Sequence, residues 1–499
     1  MAAELVTVEA RFEGHDRSST DVVISGLPDP VIRESRGRLI CALKENGLRL
    51  PTGTLYLNLV PASRRKVGGM LDLAIALGAA AACRHLDASW LRDTLFIGEL
   101  GIDGRLHPVP GGLAAAACAR DLGLKRVIAS RATASEAAWI GGLPCYGADR
   151  LAQVVSHLSG AGTQLARIEA HEVPVEDTQG PSLDDVRGQD CAKRALAIAA
   201  LGAHGLLFIG PPGAGKSMLA RRLIGLLPEA TRQERIEITL ALSAAGQWPG
   251  GLVRARPFRA PHHTTSYAGL VGGGSPPRPG EISLAHNGLL FLDELPEFRR
   301  EALEALREPL ETGTISISRA GGRCEFPARF QLAAAMNPCP CGYSGHQQII
   351  CRCSPPMIER YRRRISGPLL DRIDLRIELV PPPIEELLNP HALRSVPEES
   401  RQENLEAAVD QGVERARARQ GERPNALLDT DDLNRLAALD DKSRSLIEAA
   451  AKSRSFSARA LQSLRRVSRS VADLAGDEVV TADHLAQAIA LRAALSGHS

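Results

Sequence analysis

The stretch of residues 206–220 constrains the fold more than any other, because an apolar run meets a glycine-rich loop there. Residues 206–209 predict a buried strand, and the apolar positions from 218 to 226 have the spacing of a helix. Between them, Gly-Pro-Pro-Gly-Ala-Gly-Lys-Ser matches G-x-x-x-x-G-K-[ST] in the strand-to-helix context that this pattern requires. The sequence therefore predicts a nucleotide site formed by Gly210, Pro211, Pro212, Gly213, Ala214, Gly215, Lys216, Ser217 and Met218.

Two side chains of this loop have the chemistry that phosphoryl transfer needs. Lys216 is expected to reach the β and γ oxygens of a nucleoside triphosphate, and Ser217 is expected to ligate Mg²⁺. Glycines allow backbone N–H groups to surround the phosphates, and the start of the following helix adds positive potential.

The apolar runs at 289–292 and 331–336 also predict buried strands, and together the strands and helices predict an α/β fold with a doubly wound parallel sheet. Ligands of such sheets bind at the carboxyl edge of the strands. There we expect Asp293 to bind the water shell of Mg²⁺, Glu294 to polarise the attacking water, and Asn337 to reach that water or the γ-phosphate. A strand-end turn is the alternative interpretation of these polar residues.

Phosphoryl transfer also needs a cation on the transferring group, and an arginine usually supplies it, sometimes from another subunit. Arg372 follows a short helix-like segment, and Arg459 lies in the helical C-terminal part. Each is a candidate for this role, and a solvated or ion-paired arginine is the alternative for each.

Four motifs together resemble those of an AAA+ ATPase, and more closely those of the magnesium-chelatase-like YifB/ComM family. They are the phosphate loop, Leu-Phe-Leu-Asp-Glu, Ala-Met-Asn-Pro-Cys-Pro-Cys-Gly and Ser-Gly-Pro-Leu-Leu-Asp-Arg-Ile-Asp. The resemblance implies that Lys216 and Ser217 are Walker A residues, and that Asp293 and Glu294 are Walker B residues. It further implies sensor-1 Asn337, an arginine finger Arg372 that acts on a neighbour's nucleotide, and sensor-2 Arg459. ATP with Mg²⁺ and a homo-hexameric ring follow from it.

Two irregular segments carry basic side chains suited to contacts with phosphates. Residues 254–280, called the insert below, are too rich in glycine and proline to be helical throughout, and residues 312–327 predict a hairpin with an arginine on each side of its turn. The resemblance places the two segments as helix-2 insert and pre-sensor-1 hairpin, which line the pore of related rings. An exposed loop is the alternative for the insert. The candidate DNA contacts are Arg259, His262, His263, Arg319 and Arg323.

Four of the ten cysteines form a C-x-C, nine residues, C-x-C cluster, and His346 lies between the two pairs. Four thiolates at such spacing suit a tetrahedral structural Zn²⁺, in which His346 could replace one sulfur. Free buried thiols and a redox pair are the alternatives. The candidate zinc ligands are Cys339, Cys341, Cys351 and Cys353.

Residues 65–73 and 98–114 of the N-terminal part are two glycine-containing stretches, and on them the N-terminal part resembles the Lon-type peptidase fold, related to domain 2 of ribosomal protein S5. A peptidase of this type needs a serine nucleophile and a lysine that activates it. Met70 and Ala114 stand at the matching positions, so the resemblance carries over the fold without the activity. We predict a Lon-like domain at 1–165, a linker at 166–182, an ATPase core at 183–385 and a helical lid at 386–499.

Composition limits the partners of the chain but does not identify one. A net charge of +2 over 499 residues does not indicate nucleic acid, so an anionic partner must meet a local patch. No uncharged apolar run is long enough for a membrane span, no secretion signal is evident, and the scattered cysteines suit a reducing cytoplasm.

The resemblance implies an ATP-driven helicase that promotes branch migration during natural transformation, with single-stranded or branched DNA and recombination proteins as partners. A motor subunit for metal insertion into a tetrapyrrole is the alternative from another class. An ATP-dependent protease is a third, and Met70 and Ala114 argue against it.

Overall fold

A computed structural model describes residues 3–15, 20–62, 66, 68–160, 162, 164–170, 181–274, 277–319, 322–346, 348–381, 401–454 and 456–492. Most of the predicted linker and the predicted boundary at 386 lie outside these ranges.

Where the structure describes it, the N-terminal part contains two small sheets, a short hairpin and five α-helices. One sheet has the order β1-β3-β2, in which β3 pairs antiparallel with β1 and parallel with β2. The other has the order β4-β7-β8-β9, and the short strands β5 and β6 form a separate hairpin. The strands are β1 Thr7–Gly14, β2 Thr20–Ser25, β3 Gly53–Val60, β4 Thr94–Ile97, β5 Glu99–Leu100, β6 Leu106–His107, β7 Arg126–Ser130, β8 Cys145–Ala148 and β9 Arg167–Ile168. The helices are α1 Pro30–Glu45, α2 Asp72–Ala82, α3 Gly112–Asp121, α4 Arg131–Ala138 and α5 Leu151–Ser159.

The nucleotide-binding part is built on a five-stranded parallel sheet. Its order is β11-β14-β17-β10-β18, and every neighbouring pair is parallel. The strands are β10 Leu206–Ile209, β11 Phe258–Arg259, β14 Leu289–Leu292, β17 Gln331–Met336 and β18 Leu375–Glu378. The doubly wound parallel sheet predicted from the sequence is therefore confirmed.

Both faces of this sheet are buried, which explains why its inner strands are continuously apolar rather than alternating. In β10, Leu206 and Phe208 belong to the hydrophobic cluster on one face, and Leu207 and Ile209 belong to the cluster on the other. The helices of this part are α6 Asp190–Gly202, α7 Lys216–Leu226, α8 Arg232–Ala244, α9 Tyr267–Val271, α10 Glu281–Leu284, α11 Arg300–Glu304, α12 Pro309–Thr312, α13 Pro355–Arg362 and α14 Gly367–Leu370.

Two antiparallel ribbons project from the sheet. The first pairs β12 Gly272–Gly273 with β13 Arg278–Pro279 inside the insert. The second is the predicted hairpin, which pairs β15 Thr314–Arg319 with β16 Gly322–Pro327. Ile315, Ile317 and Phe326 fasten this hairpin to the cluster beneath it, as the alternating pattern of its first strand predicts.

The described residues between 401 and 492 form five α-helices, which as a group pack on α6 and on the sheet. They are α15 Gln402–Gln420, α16 Thr430–Leu436, α17 Asp441–Arg454, α18 Ala458–Ala475 and α19 Ala482–Arg492. Helix α18 buries Leu464, Val467 and Val471 in the cluster that also contains Leu196 of α6. Among the described helices, none combines the length and the apolar character that crossing a bilayer requires.

A buried polar network joins α18 to the start of β18. His204 is 3.0 Å from Asp374 through Nδ1 and 2.8 Å from Ser470 through Nε2. Burial by itself raises the pKa of Asp374, but the hydrogen bonds from His204 and Ser463 lower it on balance. Because these groups are hydrogen-bonded away from water, the network fixes how the C-terminal helices meet the sheet.

The N-terminal part contacts the nucleotide-binding part directly. Ile236 of α8 and Leu252 lie in the same hydrophobic cluster as Trp139. Beside them the buried Ser243 hydroxyl donates a hydrogen bond to the Glu136 carboxylate.

Candidate active site

The phosphate loop joins β10 to α7, as the sequence predicts. Gly213 and Gly215 have φ angles of 80° and 86°, a backbone conformation that glycine adopts without strain. The loop therefore curls at the carboxyl edge of the sheet, and α7 begins at Lys216 with its first N–H groups at the same edge.

Lys216 lies inside the curl of this loop. Its Nζ donates to the carbonyl oxygens of Gly210 at 2.7 Å and Pro211 at 2.9 Å, and to Oδ1 of Asn337 at 3.0 Å. Burial lowers the pKa of Lys216, while the nearby Asp293 and Glu294 raise it in part. The Lys216 side chain of the phosphate loop and the Asn337 side chain after β17 are therefore in direct contact.

Ser217 and Asp293 meet at the next position along the edge. The Ser217 hydroxyl donates to Oδ2 of Asp293 over 2.5 Å. The other carboxylate oxygen of Asp293 accepts from the Glu294 backbone N–H at 2.9 Å. One hydroxyl and one carboxylate oxygen thus point at a common space, and oxygen ligands of this kind suit Mg²⁺.

Glu294 has a contact that the sequence did not indicate. Its Oε2 is 3.0 Å from Nδ1 of His263, a residue that we expected among the DNA contacts. The backbone of Glu294 has a φ of 52°, the left-handed conformation that is rare for a residue with a side chain. Such conformations concentrate at functional sites, so the backbone and the pairing both single out Glu294.

Asn337 is fixed from behind by α13. The Tyr361 hydroxyl hydrogen bonds to the backbone of Asn337, and burial raises the pKa of Tyr361 to about 12. The Asn337 side chain points the other way, toward Lys216.

Arg372 and Arg459 meet on one carboxylate, that of Glu311. Nη2 of Arg372 is 2.6 Å from Oε2 of Glu311, and Nη2 of Arg459 is 2.7 Å from Oε1. The Arg372 side chain is only 8% exposed and also donates to the Pro368 carbonyl, whereas that of Arg459 is 39% exposed. The structure therefore brings the two arginine candidates together within one chain.

The insert divides its basic residues between internal contacts and the surface. Arg259 forms two hydrogen bonds, of 2.7 and 2.8 Å, to the carboxylate of Glu281. His262 stacks on His263 with ring centroids 4.1 Å apart and pairs with Thr264. Neither Arg259 nor His263 is thus a free side chain in this structure.

Arg319 is the last residue of β15, and Arg323 is the second residue of β16. Arg319 pairs with Gly322 across the ladder, and Arg323 pairs with Ser318. The side chains of Arg319 and Arg323 and the turn between the strands lie outside the described part of the structure.

The four cysteines form a compact cluster. The three sulfur pairs within Cys339, Cys341 and Cys351 are 3.4, 3.6 and 3.6 Å apart, and all four sulfurs lie within 4.8 Å of one another. A tetrahedral Zn²⁺ with Zn–S bonds near 2.3 Å needs sulfurs about 3.8 Å apart, so this donor set fits zinc.

His346 is not part of the cluster. Its Nδ1 accepts hydrogen bonds from the backbone N–H groups of Gln348 at 3.1 Å and Ile349 at 3.0 Å. The cysteine loop also packs on the phosphate loop, since a Cβ on Gly342 would lie 2.7 Å from Cδ of Pro212. A metal here would fasten the loop beside the nucleotide site.

Met70 and Ala114 lie in separate short elements of the N-terminal part. Met70 is in the turn Gly69–Leu71 and packs on a hydrophobic cluster, and Ala114 is in α3. Neither side chain offers a nucleophile or a base, so the two matching positions have no peptidase chemistry.

Three segments of the chain match families of magnesium-chelatase proteins. Residues 182–387 match the family described as magnesium chelatase, subunit ChlI. Residues 9–133 match subunit ChlI of Mg-chelatase, and residues 402–492 match the C-terminal family of the same subunit.

Two similar proteins align with nearly the whole chain, and a third aligns with a smaller part of it. Competence protein ComM of Haemophilus influenzae is 42% identical over 506 residues, which cover 98% of this chain and 95% of the relative. Uncharacterized protein YifB of Escherichia coli is 40% identical over 98% of this chain and 94% of its own length. The magnesium-chelatase 67 kDa subunit of Chlorobaculum tepidum is 28% identical over 31% of this chain and 23% of its own.

Fold, site and family matches together define a P-loop ATPase of the AAA+ type. Within that class, the chain belongs to the YifB/ComM family of magnesium-chelatase-like proteins.

Proposed function

We propose that this protein is a DNA motor that hydrolyses ATP at the edge of the five-stranded sheet. The observation that carries the proposal is the convergence of Lys216, Ser217, Asp293, Glu294 and Asn337 at that edge. Lys216 binds the β- and γ-phosphates, Ser217 and Asp293 hold Mg²⁺ and its water shell, and Asn337 orients the γ-phosphate or the water.

Glu294 is the base that accepts a proton from the attacking water in this proposal. Positioned general bases contribute about 10²- to 10⁴-fold to a rate. Ser217 and Asp293 would hold Mg²⁺, which would supply positive charge against the charge that develops on the phosphates, and Lys216 would add to it.

We propose further that the working form is a homo-hexameric ring in which Arg372 is the arginine finger that stabilises charge at a neighbour's nucleotide and Arg459 is the sensor-2 arginine. Support comes from the position of both side chains on Glu311, which lies at the base of the hairpin. A trans-acting arginine contributes about 10³- to 10⁵-fold in enzymes of comparable chemistry, so a subunit alone would hydrolyse ATP slowly.

DNA is the proposed load, and branch migration during recombination of incoming DNA in natural transformation is the proposed task. The competence relative and the basic residues of the insert and hairpin support it. Single-stranded or branched DNA in the pore would be contacted by Arg319, Arg323, His262 and the remaining basic residues of the insert. Recombination proteins would be further partners. The protein would then act in the cytoplasm.

The cysteine cluster would hold a structural Zn²⁺ that braces the phosphate loop, since its sulfur spacing fits four thiolate ligands. The N-terminal part, proposed as a Lon-like domain at 1–165, would serve assembly or partner binding without peptidase activity. The proposed domain division is completed by a linker at 166–182, an ATPase core at 183–385 and a helical lid at 386–499.

ATP hydrolysis and branch migration with wild type and Glu294→Gln test the proposal. The variant should bind ATP and turn it over about 10²- to 10⁴-fold more slowly, and branch migration should stop. DNA should stimulate the wild-type ATPase, and Arg319→Ala/Arg323→Ala should lose that stimulation. An ATPase that ignores single-stranded and forked DNA would reject DNA as the load.

A chelatase-type motor is the second candidate, because the family matches cover three segments of the chain. It predicts ATPase activity that DNA does not change and that a large partner protein for metal insertion does. The same ATPase assay therefore separates the two functions.

A further inference from the structure

Four arginines outside the nucleotide site converge on one cleft of about 510 Å³. Three come from the end of α13 and one from the start of α11. The cleft is lined by Arg300, Arg360, Arg363, Arg364, Pro296, Glu297 and Phe298, and we call it the arginine cleft.

Three of the arginines lie close together in the chain at the end of α13. Arg360 is in the last turn of the helix, Arg363 and Arg364 follow directly after it, and all three line the cleft. Arg300 adds a fourth guanidinium from the facing element, so the cleft is charged from two walls.

The cleft has more positive charge than its carboxylates can neutralise. Glu297 pairs with Arg364 at 2.7 Å, and Glu359 pairs with Arg363 at 2.5 Å. Within the described ranges, Arg300 and Arg360 form no ion pair, so two guanidinium groups remain for an external anion.

We propose that the arginine cleft is a phosphate-binding site. A planar guanidinium presents paired N–H donors that match two oxygens of a phosphate, and it is more weakly hydrated than an ammonium group. The phosphate has two sources in the ring proposed above, the backbone of bound DNA and the nucleotide of a neighbouring copy.

Residues that line the cleft are connected through side-chain contacts to the carboxylate of Glu294. Phe298 lies edge-on to the His263 ring at 6.4 Å, and His263 is the residue paired with Glu294. On the other wall Arg364 donates to the Pro296 carbonyl, two residues beyond Glu294. An anion in the cleft therefore contacts the segment that positions Glu294, which gives its binding a route to the hydrolysis rate.

Arg300→Ala/Arg360→Ala tests the site, because it removes the two unpaired guanidinium groups and leaves both ion pairs intact. The full-length protein is titrated into a labelled 30-nucleotide oligo-dT at several salt concentrations, and ATP hydrolysis is followed against ATP concentration. Two lost phosphate contacts should weaken oligo-dT binding about tenfold and flatten the salt slope by about 1.4. That result assigns the phosphate to DNA.

A rise of about fivefold in KM for ATP, with oligo-dT binding unchanged, assigns it instead to a neighbour's nucleotide. Arg444→Ala/Arg454→Ala removes two exposed arginines of α17 and is the matched control for charge. If the cleft variant and the control are alike in both assays, the phosphate site is wrong.

This inference rests on the proposed function only in naming the two sources of the phosphate that the arginine cleft binds. A wild-type protein that does not bind oligo-dT rejects the DNA load, and the KM measurement still decides on the cleft. Lysine replacements at both positions should restore part of the affinity, because they keep the charge and lose the paired donors.

Discussion

Glu311 binds Arg372 through Oε2 at 2.6 Å, and the same carboxylate binds Arg459 through Oε1. The hydrogen bonds from Arg459 and Arg372 lower the pKa of Glu311, so it stays ionised between them. Strand β15 of the hairpin begins at Thr314, directly after the helix that carries Glu311. One carboxylate thus connects the hairpin proposed to contact DNA with the two arginines proposed to contact a nucleotide.

Glu311→Gln should therefore reduce ATP hydrolysis in the assembled protein. A neutral amide cannot satisfy two guanidinium groups, and they would then repel each other and lose their common orientation. Loss of about 1 kcal/mol of charge-assisted bonding corresponds to about fivefold in kcat, with KM for ATP nearly unchanged. Stimulation by DNA should fall by more than the rate without DNA.

Glu304→Gln is the matched control for that change. Glu304 lies one helix earlier and pairs with Arg307 at 2.9 Å, with both side chains partly exposed to solvent. It should leave both rates within about twofold, since exposed pairs contribute about 0–1 kcal/mol. Equal losses in the two variants would show that Glu311 has no particular role.

His263→Ala should change how Glu294 responds to DNA. The pairing with His263 occupies Oε2 of Glu294, one of the two oxygens available to accept a proton from water. Without that partner, hydrolysis in the absence of DNA should rise about two- to fivefold, and the further gain on adding DNA should shrink. Steady-state ATPase assays with and without a forked substrate measure both quantities.

His262→Ala separates this effect from general damage to the insert. His262 stacks on His263 and pairs with Thr264 but does not contact Glu294 in the described structure. It should keep the wild-type ratio of stimulated to unstimulated rates. A His263→Ala protein with that same ratio would contradict the assignment.

The strands and their ends could be predicted because each rests on a local pattern. Uninterrupted apolar runs gave β10, β14 and β17, and parallel pairing then required Asn337 and Asp293 to share one edge. The hairpin followed from alternation around a glycine turn. These inferences need no knowledge of distant contacts.

The pairings of His263 and Glu311 could not be predicted, because they join irregular segments. His263 follows a two-residue strand, and Glu311 lies in a four-residue helix, so neither position has a periodicity that indicates its neighbours. The composition of the insert and its resemblance to pore loops predict a DNA contact for Arg259, whereas the contact of Arg259 with Glu281 depends on how the insert folds back. Side-chain pairing of this kind is set by tertiary packing.

The cysteine cluster predicts one equivalent of zinc in the purified protein. Cys341→Ser should reduce the zinc content to well below one equivalent and lower the thermal midpoint by several degrees, because a structural metal contributes directly to folding. Cys41→Ser changes an exposed free cysteine and should alter neither quantity. Full zinc content in Cys341→Ser, or none in the wild type, would exclude the site.

The lowered pKa of Glu237 predicts that the ATPase core loses part of its stability in acid. Its carboxylate accepts hydrogen bonds from His286 and Asn287, and the bond from His286 is the main cause that lowers its pKa to about 2. A carboxyl whose pKa is depressed on folding stabilises the protein above its unfolded pKa, near 4.5. That stabilisation is lost as the pH falls from about 5 toward 2.

Glu237→Gln should therefore destabilise the protein most at neutral pH. A shift of this size corresponds to about 3 kcal/mol, which we reduce to about 1–2 kcal/mol because the side chain is 30% exposed to solvent. Denaturation midpoints of wild type and variant should differ clearly at pH 7, approach each other below about pH 5 as the unfolded chain takes up the proton, and converge only near pH 2, where the folded carboxyl is protonated as well. Glu13→Gln, at an exposed pair with Arg11, should show no such convergence because there is little difference to lose. A gap between wild type and Glu237→Gln that stays constant from pH 7 to about pH 3 would show that the carboxylate is not what His286 stabilises.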